Sequence, residues 1–156
     1  GEVLMGSASS QDDRVGCFVR TEESAPGEIA VVAFDQNKVE SLCAGAWQVD
    51  DCARSGLRLS GPHIPASDPI QTMPVAPGAI QLLDDGTVIV LGPDGGLTGG
   101  YPVIGVIASA HLDFMADLIV TATVAFTSIS APSAIEEFAA REEWLARALV
   151  NPHDLP

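Results

Sequence analysis

The segment Gly78–Gly92, GAIQLLDDGTVIVLG, constrains the fold more than any other stretch of this chain. Two branched apolar runs, Ala79–Leu83 and Thr87–Leu91, flank the turn residues Asp84, Asp85 and Gly86. Runs of that length and type favour extended backbone, and an acidic turn ending in glycine reverses it, so the segment reads as a β-hairpin. An isolated hairpin is not stable in water, and its apolar faces require further strands. Candidates are present at Val15–Val19, Glu28–Phe34, Gln48–Cys52, Ser55–Gly61, Val103–Ile107 and Ile119–Phe126. In Ser55–Gly61, Leu57 and Leu59 alternate with Arg58 and Ser60, the period of a half-buried strand.

Helices are few. In NKVESLCAGA, Val39, Leu42, Cys43 and Ala46 recur at helical spacing, and Asn37 with Glu40 has the form of a capping box. A brief helix is expected around His111–Asp117. The C-terminal segment changes character: Ser133 stands three residues before Glu136 as a second capping box. Ile135, Phe138, Leu145 and Leu149 then form an apolar stripe, and Asn151-Pro152 ends the helix. That helix either packs on the strands or serves as a docking arm, and packing is the expectation. The proline-rich stretch PHIPASDPIQTMPVAP reads as an irregular connection. Many short strands with Pro/Gly turns indicate a mainly-β barrel or sandwich, with a lobe over residues 1–130 and a helical tail over 131–156.

Charge excludes two functions. With 21 acids against 7 bases the net charge is −14, so no basic stripe exists to displace counterions from nucleic acid or to meet an anionic membrane. No apolar segment approaches bilayer-crossing length and no secretory leader is visible. Cys17, Cys43 and Cys52 are odd in number and widely spaced, which fits a reduced cytoplasmic protein better than a disulfide framework.

Most of the chemistry-bearing residues have ordinary explanations. The glycine-rich GPDGGLTGG lacks the lysine of a phosphate-binding loop and runs into a strand rather than a helix. His63, His111 and His153 are far apart and read as surface or hydrogen-bonded histidines, with no metal-ligand spacing. The carboxylate pairs Asp12-Asp13, Asp50-Asp51 and Asp84-Asp85 suit turns. A serine hydrolase would need a nucleophile elbow of GxSxG type, and none is found. Two features remain. Arg54 and Arg58 flank a glycine in a chain poor in bases, and could hold a small anion or pair with the abundant acids. Gly99-Gly100-Tyr101-Pro102 offers close backbone approach and a phenol, at a corner leading into the strand Val103–Ile107.

Taken in order, RSGLRLSG and PGAIQLLDDGTVIVLGPDGGLTGGYPVIGVI resemble the C-terminal lobe of the biotin-dependent carboxyltransferase-like family. That family includes allophanate hydrolase subunit 2, the C-type component of 5-oxoprolinase, the KipA-type antagonists and the carboxyltransferase part of urea carboxylase. Its pattern runs approximately DRxGxRLxG, then PGAIQxPxxGxPIxLxxDxxTTGGYPxIxxV. The matching residues are Arg54, Gly56, Arg58, Leu59 and Gly61, then Pro77–Gln81, Gly86, Asp94 and Thr98–Pro102. The agreement is strong over Ala53–Ile107 and weaker from Ile29 to Phe126. Departures include Ala53 in place of the usual acid, FDQNK in place of a GPR-type turn, and Val120–Ala122 in place of a late PGD turn. The QDxGR-type motif of the family's N-terminal half is not recognised.

The resemblance implies a cyclophilin-like β-barrel with two or three short helices and a C-terminal helix. It implies a subunit or lobe of an ATP-dependent amide- or lactam-processing complex, with catalytic roles for Arg54, Arg58 and Tyr101. Substrate contacts would come from Gln81, Asp94, Thr98, Gly99 and Gly100. No metal or directly bound cofactor is expected; carrier-linked biotin or ATP would act through partners of the type of allophanate hydrolase subunit 1 or the B-type component of 5-oxoprolinase. The alternative is a non-catalytic module that sequesters a kinase-inhibitor-type partner. Prolyl isomerase activity would rest on fold analogy alone, since function belongs to sites.

Overall fold

The computed structural model describes residues 28–65 and 70–150. The candidate strand at Val15–Val19, Cys17, His153 and the Asn151-Pro152 stop lie outside them. Seven strands close into one barrel: β1 (Ile29–Ala33), β8 (Val103–Ile107), β5 (Ala79–Leu82), β6 (Val88–Leu91), β3 (Gly56–Ser60), β2 (Ala46–Ala53) and β9 (Thr123–Ile129), in that order. The barrel closes where β9 runs parallel to β1; every other pair is antiparallel. The sandwich is therefore excluded in favour of the barrel.

The hairpin forms as its sequence requires. Leu82 pairs with Val88, the Leu83 amide donates to the Thr87 carbonyl at 2.9 Å, and Gly86 turns at φ 85°. The Thr87 amide donates to the Asp85 carboxylate at 2.9 Å. That bond, with a smaller contribution from Arg58, holds the Asp85 carboxyl below its usual range.

Inward side chains fill the barrel. Leu57, Val90 and Ile80 are successive cross-strand partners and all are buried. The helix α1 (Gln36–Cys43) adds Val39 and Leu42 to the same core, and the Trp47 indole fits beneath it, donating to the Leu42 carbonyl at 2.9 Å. A fully buried indole needs such an acceptor.

Several local expectations change. The cap of α1 is Asp35, whose carboxylate accepts from the Lys38 amide at 3.2 Å, so Asn37 and Glu40 lie inside the helix rather than forming its box. Helix α2 (Ala131–Val150) likewise starts before Ser133. Ser130 occupies the capping position, with its hydroxyl accepting from the Ser133 amide at 3.2 Å. The short helix is a 3-10 segment over Ser109–Asp117. The strand expected at Ile119–Phe126 begins only at Thr123, because Ile119–Ala122 forms a turn closed by a 3.0 Å bond from the Ala122 amide to the Ile119 carbonyl. The proline-rich connection contains a two-residue strand, β4 (Met73–Pro74), which pairs with β7 (Thr98–Gly99) as a separate ribbon.

Helix α2 packs on the barrel through its first half. Arg141 pairs with Asp113, and Glu137 lies 3.4 Å from His111 Nε2. His111 Nδ1 accepts from the Ala30 amide at 3.3 Å, linking the 3-10 segment to β1. His111 is thus a hydrogen-bonded histidine, one of the two readings its sequence allows. Among the described residues no helix is long and apolar enough to cross a membrane.

Candidate functional site

Counting registers from the hairpin places Arg58, Ile89, Gln81 and Val103 on one rung, spanning β3, β6, β5 and β8. Cross-strand partners share a face of the sheet. Arg58 is exposed, so this is the outer face of the barrel. Gln81 nevertheless is only 5% exposed, because the β4–β7 ribbon lies across it. Strand β5 is accordingly buried on both faces, which explains the unbroken apolar run around a single polar residue.

The Gln81 amide nitrogen, Nε2, is fully buried and has no hydrogen-bond partner among the described residues. It faces the backbone of Gly99, where an added Cβ would sit 2.3 Å from that nitrogen. Only glycine leaves room for the amide at this contact. An unsatisfied buried donor costs about 1–3 kcal/mol, and native proteins retain few of them. Thr98, Gly100 and Tyr101 continue the ribbon outward and are exposed, with Tyr101 leading into the buried Pro102. Pro102 is tied back through its carbonyl, which accepts from the Leu82 amide at 3.0 Å.

Arg54 and Asp94 form a second group at the end of the barrel. Arg54 Nε and Nη2 donate to the two Asp94 carboxylate oxygens at 2.5 and 3.0 Å, and the Asp94 amide donates to the Arg54 carbonyl at 3.0 Å. This pair lowers the Asp94 carboxyl and raises the Arg54 guanidinium from their usual values. The glycines of GPDGG belong to the same junction. A Cβ on Gly92 would lie 2.2 Å from the Arg54 carbonyl, and one on Gly95 3.0 Å from that of Ser55. The loop is glycine-rich so that two turns can lie backbone to backbone, which is a structural use and not a phosphate cradle.

The structure thus brings Gln81 together with Gly99; Thr98, Gly100 and Tyr101 are the exposed chain neighbours of that glycine. It sets Arg58 on the Gln81 rung, across Ile89. Arg54 and Asp94 are joined to each other instead, with the Arg54 fork held by a carboxylate of this chain. Among the described residues no group of three or more His, Cys, Asp or Glu side chains gathers into a metal site. The sequence carries no sign that Gln81 would be covered by Gly99. The pairing of Gln81 with Ile89 is legible from the hairpin turn; the position of the ribbon is not.

The chain is thus a mainly-β barrel domain with a ribbon-covered glutamine on its outer face. Residues 9–128 match the family described as the carboxyltransferase domain, subdomain A and B, and the chain belongs to that family. The match reaches further toward the N-terminus than Ile29. Among solved structures, the chain is similar to TTHA0988, with 24% identity and a TM-score of 0.60 over 70% of this chain and 23% of that one. It is also similar to K. lactis urea amidolyase, with 20% identity and a TM-score of 0.65 over 74% of this chain and 8% of that one. Kluyveromyces lactis urea carboxylase matches at 20% identity and a TM-score of 0.65, over 74% of this chain and 12% of that one. The chain spans less than a quarter of each of these structures, and at such identities the likeness is one of fold. No curated protein sequence matches the chain.

Proposed function

We propose that this carboxyltransferase-type domain binds a small urea-, amide- or lactam-type carbonyl compound within an ATP-dependent multi-subunit enzyme. The observation that supports this most directly is the unpartnered Nε2 of Gln81 beneath Gly99. A carbonyl oxygen is the acceptor that this buried donor lacks, and in a site shielded from water such a bond positions a substrate strongly. Access requires the β4–β7 ribbon to lift. The ribbon is two residue pairs long and is extended by a 3.0 Å bond from the Val75 amide to the Leu97 carbonyl, so few bonds oppose that movement. With the ribbon raised, the amides of Gly99 and Gly100 and the Thr98 hydroxyl become further donors, and Tyr101 borders the opening.

Arg58, on the same rung, would offset negative charge that develops on the carbonyl or carboxyl oxygen. Carrier-linked biotin would supply the carboxyl group, and its ureido carbonyl is an acceptor that the Gln81 amide also fits. The chain's own part is to hold and orient the carbonyl compound. Partners of the type of allophanate hydrolase subunit 1 or the B-type component of 5-oxoprolinase would provide the ATP-dependent step. Arg54 and Asp94 tie their two loops to each other at the end of the barrel.

The test is a titration of the isotopically labelled chain with urea and with 5-oxoproline, followed through the backbone amide resonances of Gly99 and Gly100, which the Gln81 variant retains. A saturable shift that disappears in Gln81→Met supports the reading. Resonances that stay unmoved at millimolar ligand would sink it.

A further inference from the structure

Helix α2 uses only part of its surface on the barrel. Beyond Arg141 it carries Trp144 and Leu149, the latter 83% exposed, and nearer the barrel Ile135 is 69% exposed. Ile135, Phe138, Leu145 and Leu149 fall at spacings of three, seven and four residues, so they form one stripe, and Glu142 occupies the remaining position within it. At its N-terminal end the stripe opens into a cavity of about 310 Å³, lined by Val32, Val106, Ala108, Ala134, Ile135 and Phe138. Ile135 and Phe138 belong to both, so the stripe and the cavity are continuous.

Charge decides what fits there. Both cations of α2 are already engaged, Arg141 with Asp113 and Arg147 with Glu143. Glu142 has no hydrogen-bond or ion-pair partner among the described residues and stands exposed in the middle of the stripe. A second copy of the chain would set Glu142 against apolar or acidic residues, between two molecules that each carry a net charge of −14. A single polar residue inside an apolar seam selects its partner and fixes the register of pairing.

We propose that the α2 stripe and its cavity are the docking surface for an amphipathic helix of another protein, one whose apolar face carries a lysine or arginine near its middle. One large apolar side chain of that helix seats in the cavity between Val32, Val106 and Phe138. Its cation meets Glu142, and further apolar residues cover Leu145 and Leu149. Neither Gln81 nor a residue of the β4–β7 ribbon lines this cavity.

The test uses two synthetic helical peptides that share a leucine-rich stripe and differ only in carrying lysine or glutamate at its centre. Binding to the full chain is followed by the fluorescence anisotropy of a dye attached to the N-terminus of each peptide. The lysine peptide is expected to bind at least tenfold more tightly than the glutamate peptide. Glu142→Gln should abolish that preference and Glu142→Lys should reverse it, while Leu149→Glu weakens both peptides with the circular dichroism of the barrel unchanged. Equal affinity for the two peptides overturns the proposal, as does a preference that survives Glu142→Lys or an absence of binding at millimolar peptide. Sedimentation showing a dimer that Leu149→Glu dissociates would also overturn it in favour of self-association.

Discussion

Gln81 and Gly99 are in contact as an amide nitrogen against a bare Cα, and the space between them excludes even a methyl group. The two residues come from different sheets, one from the barrel and one from the ribbon that covers it. Their relationship links the glycine of the Thr-Gly-Gly-Tyr-Pro corner to the glutamine of the hairpin. Neither residue's role follows from its own neighbourhood in sequence.

Gln81→Met keeps the length of the side chain and removes the unsatisfied donor. Stability is expected to rise by about 1 kcal/mol, since the orphaned amide costs a comparable amount. The measurement is guanidinium chloride unfolding, with the midpoint increasing at constant slope. Carbonyl binding should be lost in the same variant. A destabilised Gln81→Met would show that the amide has a partner in solution that offsets its burial.

Gly99→Ala should lower stability by about 1–2 kcal/mol, as overpacking of a closed contact does. The cause is specific, so the cost should largely vanish when Gln81 is alanine. A double-mutant cycle over Gln81→Ala and Gly99→Ala checks this, with a coupling energy of about 1 kcal/mol expected for residues in contact. Additive effects would place the strain elsewhere in the ribbon.

The Arg54–Asp94 pair sets a pH dependence whose direction follows from the lowered carboxyl of Asp94. A carboxylate depressed in the folded state contributes stability above its unfolded value near pH 4, and that contribution is lost as pH falls through the folded value. Asp94→Asn should therefore lower the melting temperature at neutral pH. The gap between native protein and variant should narrow as pH drops below about 4. The raised guanidinium of Arg54 gives stability at every lower pH and adds no slope in this window. Both side chains are exposed, so the effect is modest and weakens with added salt. The absence of a gap at neutral pH would mean that the backbone bond, which asparagine keeps, is what matters at this position.

Much of this architecture is legible in the sequence because the signals are local. The hairpin at Asp84–Gly86 sets its own register through a turn residue and two branched runs, and that register places Gln81 opposite Ile89. Val103–Ile107 runs from a proline to the start of a helical segment and leaves no ambiguity. The caps lie upstream of the expected boxes because a carboxylate or hydroxyl there, Asp35 or Ser130, meets the free amides first. The ribbon is invisible because two residues at Met73–Pro74 carry no period, and their pairing with Thr98–Gly99 is set by tertiary contact. The arginines stand as a pair in sequence, yet the structure separates them: Arg54 faces a turn that supplies Asp94, and Arg58 lies on the barrel wall. The spacing of α2 shows its stripe, but that only the first half packs on the barrel is decided by tertiary contact.

The late turn at Ile119–Ala122 gives the sharpest stability test. Thr121 holds φ at 78°, the only described non-glycine residue in that region, and its amide donates to the Val49 carbonyl at 2.8 Å. Val49 in turn donates to Ala122 at 2.9 Å, so β2 pins the turn on both sides and the strained residue cannot relax. A β-branched side chain in the left-handed region costs about 1–2 kcal/mol, and the third position of such a turn favours glycine. Thr121→Gly is therefore expected to stabilise the barrel by about 0.5–1 kcal/mol, after subtracting the greater unfolded-state freedom of glycine. Thermal unfolding of the two proteins measures the difference directly. Thr121→Ala should give no comparable gain, because alanine retains the Cβ that makes this backbone costly. If glycine and alanine behaved alike, the strain would lie in the Thr side chain's packing and not in its backbone.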